Sequence, residues 1–162
     1  MEPRNWIAAA EYLAALPPDR RDEISAVRQV ILDSLQPGYQ EVADLARGIF
    51  FSVPLERFGK TYNREPLALA ALAARKTYNS LFVMPMFWDP SLGEWFREEF
   101  RKTGKALDMG KGSIRFQLAA DLPLDLVARV VGLIGVDRYV EAYQAIHARQ
   151  GRRPARDAQG RM

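Results

Sequence analysis

The chain has 162 residues, 48% of them hydrophobic and 27% charged, with no cysteine and a single histidine. This composition suits one globular domain with its own core, and it excludes disulfide scaffolds, Cys-ligated metal centres and thiol nucleophiles. The formal charge is +3, yet residues 149–162 carry a net +4 and residues 1–148 a net −1, so the basicity belongs to the tail and nucleic acid is not expected to bind except through it.

The chain is read as one domain, 1–148, followed by a basic tail, 149–162, with no apolar period and therefore expected to be disordered. The start, Met1-Glu2-Pro3-Arg4, has no positive region followed by a clean apolar core, because Glu11 interrupts the run from Trp6 to Ala10. The longest uncharged stretch, Thr77 to Trp88, is 12 residues, whereas a membrane-spanning helix needs roughly 20 apolar ones. No membrane partner is expected. Absence of cysteine fits a reducing cytoplasm, which is the expected location.

In chain order, Asn5 is expected to cap a first helix with the stripe Trp6, Ala10, Leu13, Leu16, stopped at Pro17-Pro18. A second helix starts at Asp19 and carries Ile24, Val27, Ile31 and Leu35 on one face, ending before Pro37-Gly38. Ile49 to Leu55 alternates as a strand, and Leu67–Ala74 reads as a second, joined by the turn Lys76-Thr77-Tyr78-Asn79 to a third, Ser80–Met86. Asp89-Pro90 opens a helix with Leu92, Trp95, Phe96 and Phe100 buried, and Gly104 stops it. Ser113 to Leu118 alternates as a fourth strand. A helix then follows Leu122-Pro123, and Asp137 is expected to cap a last helix to about Ala148. The order α-α-β-β-β-α-β-α-α with short links predicts an α+β fold, an antiparallel sheet of about four strands packed with helices.

Four sets of residues invite a functional reading. Gly110-Lys111-Gly112-Ser113 resembles a phosphate loop, but Gly104 and Gly110 enclose five residues rather than four, Gly112 replaces the Ser/Thr, and a strand follows instead of a helix. A plain turn is the simpler reading, with a weak anion cradle as the alternative. Glu94, Glu98 and Glu99, and likewise Asp19, Asp22 and Glu23, could offer oxygen ligands to a hard cation, but arginines interleave both sets, as on a solvated, ion-paired face. His147 lies at i+4 from Tyr143 and i+8 from Tyr139, a spacing typical of packing. The aromatic set Phe50, Phe51, Phe58, Tyr62, Tyr78, Phe82, Phe87, Trp88 and Phe116 is the most suggestive. Phe50 and Phe51 cannot both face one layer, so either helices cover both sides of the sheet or one aromatic row lines a ligand cleft or a partner surface. Tyr62, Lys76, Tyr78, Lys111 and Arg115 are accordingly the residues expected to bind a ligand, an anion or a carbonyl compound. No catalytic residue is assigned, since no Ser/His/Asp set, acid pair or cofactor fingerprint is present, and the reading leans against an enzyme.

The run Tyr12-Leu13-Ala14-Ala15-Leu16-Pro17, Arg20-Arg21 and Ile24-Ser25-Ala26-Val27-Arg28 resembles the opening of the YdhG-like domain-of-unknown-function family. So do Val53-Pro54-Leu55, Thr61-Tyr62-Asn63, Leu107-Asp108-Met109-Gly110-Lys111, Arg115-Phe116 and Leu122-Pro123-Leu124-Asp125. The likeness extends over residues 6–147. It implies a small cytoplasmic bacterial α+β domain without assigned activity, and one branch of that family is regarded as frataxin-like, handling iron for cluster assembly. The chain departs from many relatives at Ala46-Arg47-Gly48-Ile49, where they have Tyr-Gly-Met, and at Tyr78, where they have histidine. The expected function is a non-enzymatic binding or carrier domain, with iron implied by the resemblance only. The alternative is a small-molecule or protein-interaction module using an aromatic sheet face and the Lys111–Arg115 segment.

Overall fold

The structure, a computed structural model, describes residues 5–151. Helices α1 (Ala9–Ala14) and α2 (Pro18–Ser34) precede strands β1 (Gln40–Asp44), β2 (Gly48–Val53), β3 (Leu67–Ala74) and β4 (Asn79–Val83). Then come α3 (Met84–Trp88), α4 (Pro90–Lys102), β5 (Ser113–Phe116), a 3-10 turn (Ala119–Asp121), α5 (Leu124–Val131) and α6 (Val136–Gly151). The fold is α+β. The strands form one antiparallel meander in chain order, β1-β2-β3-β4-β5, so the sheet has five strands rather than about four. No helix among the described residues is long and apolar enough to cross a membrane.

The added strand is β1. Its sequence, Gln40-Glu41-Val42-Ala43-Asp44, is polar and short, as suits an edge. Its outer side is closed by Ile7, whose N–H and carbonyl bond Ala43 at 2.9 and 3.0 Å. That bridge corrects the first helix: Trp6 and Ile7 are extended, α1 starts at Ala9, and Asn5 does not cap it. The third expected strand also ends early, because at Met84 the chain turns into α3, with Pro85 in its first turn. Asp137 lies in the first turn of α6 rather than capping it, and it ion-pairs with Arg57. Asp89 caps α4 as expected, accepting from the Ser91 N–H at 3.0 Å. The Ser91 hydroxyl bond holds its carboxyl below the usual range, opposed by desolvation and supported by the Leu92 and Ser91 N–H groups. From residue 152 on, the expected tail lies outside the described residues.

One side of the sheet carries the core. Ala43, Ile49, Phe51, Ala70, Leu72, Leu81, Val83, Ile114 and Phe116 pack under α1, α2, α4 and α5 in one cluster. Val53, Leu67 and Leu69 pack under α6 in a second. A bulge in the β2–β3 pairing falls between the residues of the two clusters. Phe51 pairs with Ala70 and Ser52 with Ala68, leaving Leu69 as an extra residue, and Leu69 and Ala70 are both fully buried. Glycine is obligatory at the start of β2, where Gly48 has φ +115° and a Cβ would stand 2.5 Å from the Leu72 carbonyl oxygen.

Arg20 on α2 clamps the β3–β4 hairpin. Its Nε donates to Asn79 Oδ1 at 3.0 Å and its Nη2 to the carbonyls of Tyr78 and Arg75. Asn79 is fully buried and donates onward to the Gln117 carbonyl at 2.9 Å. Arg20→Ala leaves the buried Asn79 oxygen without this donor, so we expect a loss of about 2–3 kcal/mol. Thermal unfolding should report it as a fall of roughly 5–10 °C. A shift below about 1 °C would show that the hairpin holds without the clamp.

Candidate functional site

The opposite side of the sheet is different in kind. Val42, Phe50, Ala71, Phe82 and Ser113 are successive cross-strand partners and form one row across all five strands. All are half-buried and none belongs to either core cluster. Of the two arrangements open for Phe50 and Phe51, the second therefore holds: Phe51 faces the helices, and Phe50 sits in an aromatic row on the other side. Trp6 meets Phe50 edge-on at 5.8 Å, and Phe87 leans on Phe82 at 6.3 Å.

The row ends in a cavity of about 420 Å³. Its apolar walls include Trp6, Phe50, Met84, Phe87 and Trp88, and its polar side chains include Arg47, Asn63, Glu65 and His147. Each is placed by a local device. Asp44 Oδ1 accepts from the Ala46 and Arg47 N–H groups at 2.8 and 3.0 Å, fixing the β1–β2 turn that presents Arg47. Arg64 adopts φ 60°, the left-handed region, in a tight turn that brings Glu65 back toward Asn63 and Thr61. The Thr61 hydroxyl donates to the Glu65 carbonyl at 2.7 Å, and Asn63 Oδ1 accepts from the Glu65 N–H at 3.2 Å. The α3 turn sets Phe87 half out of the surface and stacks Trp88 on Tyr139 at 5.3 Å.

Arg47 is the electrostatic centre of this cavity. Its Nη2 reaches both Glu65 carboxylate oxygens at 3.3 Å. Its guanidinium lies 5.0 Å from the Phe50 ring centre and 5.6 Å from that of Trp6. Its Nε is buried without an acceptor. At the rim, His147 is sandwiched between Tyr143 at 4.1 Å and Tyr62 at 6.4 Å.

The residues singled out in the sequence divide between two places. Tyr62 stands at the cavity rim, 82% exposed, its N–H donating to the Tyr143 hydroxyl at 3.0 Å. Tyr78 and Arg115 meet elsewhere, the guanidinium 4.7 Å from the ring centre, in a shallow polar groove of about 600 Å³ shared with Lys105, Asp108 and Asp121. Lys76, in the β3–β4 turn, and Lys111, in the loop before β5, are exposed and line neither. Gly110-Lys111-Gly112 is a turn into β5, with the Gly110 N–H bonded to the Ser113 carbonyl at 2.8 Å. Glu98 pairs with Arg101 at 3.4 Å and Glu99 with Lys102 at 3.2 Å. Among the described residues no three His, Asp or Glu side chains converge as metal ligands would.

The sequence reading missed Trp6, Arg47 and Glu65. Trp6 was assigned to a helix stripe, and Arg47 and Glu65 lie 18 positions apart in two connections. The available signal was a cation immediately before a strand whose alternate face is aromatic. No family model, curated protein or solved structure matches this chain.

Proposed function

We propose that this protein is a non-enzymatic binding domain of the cytoplasm whose ligand surface is the aromatic side of the sheet, with the cavity at Arg47 as its concave part. One observation carries the reading: Trp6 and Phe50 are left half-buried, outside both core clusters, and with the exposed Phe87 they line a concave site that holds a few convergent polar groups. The carrier role that the YdhG-like resemblance implies agrees with this. Iron handling lacks comparable support, since Glu98 and Glu99 of α4 are engaged in ion pairs with basic partners.

The three tryptophans make the reading testable. Trp6 and Trp88 line the cavity, while Trp95 packs against Arg129, 5.0 Å from its ring centre. Titrating the ¹⁵N-labelled full chain with 1-naphthol should move the indole N–H signals of Trp6 and Trp88 and leave that of Trp95 in place. Equal movement of all three, or of none, would remove the sheet face as the binding surface.

A further inference from the structure

Resting on that reading, we propose that the cavity takes a flat, fused aromatic compound, stacked at its mouth on the ring of Tyr62.

Tyr62 combines a fixed backbone with an open ring. Its N–H donates to the Tyr143 hydroxyl at 3.0 Å. Its neighbour Thr61 is buried, with the hydroxyl donating to the Glu65 carbonyl at 2.7 Å. Tyr62 itself is 82% exposed, and among the described residues the only ring beside it is that of His147. A tyrosine placed for packing would have its ring covered, since burial of the ring is what it contributes to a core.

The Tyr62–His147 pair is the looser side of the stack at the rim. The two planes lie within 18° of parallel with centres 6.4 Å apart, whereas carbon atoms in contact are about 3.5–4 Å apart. Either a gap of nearly twice the contact distance separates the rings, or they are displaced sideways by about 5 Å at contact spacing. Both arrangements leave ring face uncovered, and a flat ring can lie on it. Tyr143 already packs against His147 at 4.1 Å, so the uncovered face is on the Tyr62 side.

Behind this mouth the cavity is walled by more rings, Trp6, Phe50, Phe87 and Trp88, and its volume of about 420 Å³ lies within the ordinary range for small-molecule sites. A second ring fused to the first meets their faces and edges. An aliphatic chain or a puckered ring fills space equally well but presents no π-face to stack.

1-Naphthol and decahydro-1-naphthol separate these contributions. They share one carbon skeleton and one hydroxyl and are both uncharged at neutral pH, so the polar groups of the cavity act on both alike. Only the first is flat. Dissociation constants come from the indole N–H shifts of Trp6 and Trp88 in the ¹⁵N-labelled full chain. We expect 1-naphthol to bind roughly tenfold more tightly, about the worth of one aromatic pair. Tyr62→Leu keeps apolar bulk and removes the ring. It should bring 1-naphthol to the level of decahydro-1-naphthol and leave the latter unchanged, while Tyr62→Phe should bind 1-naphthol as the unaltered chain does. The comparison of the two alcohols on the unaltered chain stands even if a variant folds poorly. Equal binding of both would overturn the flat class, and full affinity in Tyr62→Leu would overturn the role of Tyr62. Either result leaves the binding face in place, because Trp6 and Trp88 still respond. Failure of both alcohols to move those signals would remove face and ligand class together.

Discussion

Tyr139→Ala is expected to lower the unfolding free energy by about 3–5 kcal/mol, the cost of deleting a fully buried aromatic side chain and leaving its space empty. Tyr139 is the largest fully buried side chain and the centre of the smaller core cluster. Its ring stacks on Trp88 at 5.3 Å and 17°, and its hydroxyl donates to the Ala68 carbonyl on β3. One residue therefore ties α6 to the sheet and supports a wall of the candidate cavity. Tyr139→Phe keeps the packing and loses only the hydrogen bond, so it should cost about 1–2 kcal/mol. Urea unfolding of the three proteins measures both steps. A loss below about 1 kcal/mol for the alanine variant would mean that α6 is held without this anchor.

Alkaline pH should unfold the protein through the same cluster. Burial pushes the Tyr139 hydroxyl far above the usual tyrosine range, with nearby Tyr39 and Tyr143 adding to the effect. Burial also raises Tyr39, which donates to the Ile134 carbonyl at 2.9 Å. The unfolded chain releases these protons near pH 10 while the folded chain retains them. Stability from the raised values is thus intact below about pH 10 and falls as pH rises toward the folded values. Each such tyrosine contributes a slope of about −1.4 kcal/mol per pH unit in that window. The urea midpoint should be level between pH 8 and 9.5 and drop steeply from pH 10 to 11.5. The double variant Tyr39→Phe/Tyr139→Phe should start lower and fall less steeply. An unchanged slope would show that other groups govern alkaline unfolding.

Legibility followed burial. The aromatic stripe of α4 and the Ile24, Val27, Ile31 face of α2 could be read directly, because each repeats at the period of its helix and is buried on that face. Leu67–Ala74, by contrast, has no strand period and was legible as β3 only through the turn that follows it. Asp89-Pro90 worked for a local reason, a side-chain cap followed by proline at the first helical position. Gln40–Asp44 could not be read, because an edge strand with a polar sequence has no period to display. Its strand state comes from pairing with β2 and from the bridge to Ile7. Trp6 was misplaced for the same reason, since that distant pairing overrode its local helix pattern.

The candidate site was legible in half. That Phe50 and Phe51 must face opposite sides follows from strand geometry, and Phe50 does lie on the side away from the core that holds Phe51. Gathering Tyr62, Lys76, Tyr78, Lys111 and Arg115 into one place was beyond it. The sheet sets Tyr62 beside His147 and Tyr78 beside Arg115, in separate depressions.

By itself, the sequence determined the α+β class, the order of the main helices and strands, the confinement of the net positive charge to the last residues and the absence of any cysteine chemistry. Those properties depend on local period, capping and composition, which are carried by neighbouring residues. The tertiary structure alone decided which side of the sheet the helices cover, the fifth strand, and the meeting of Arg47 with Glu65 between Trp6 and Phe50. Those depend on a bulge at Leu69 and on turns at Asp44 and Arg64 that bring distant connections together, and long-range pairing of that kind leaves no periodic trace in the chain.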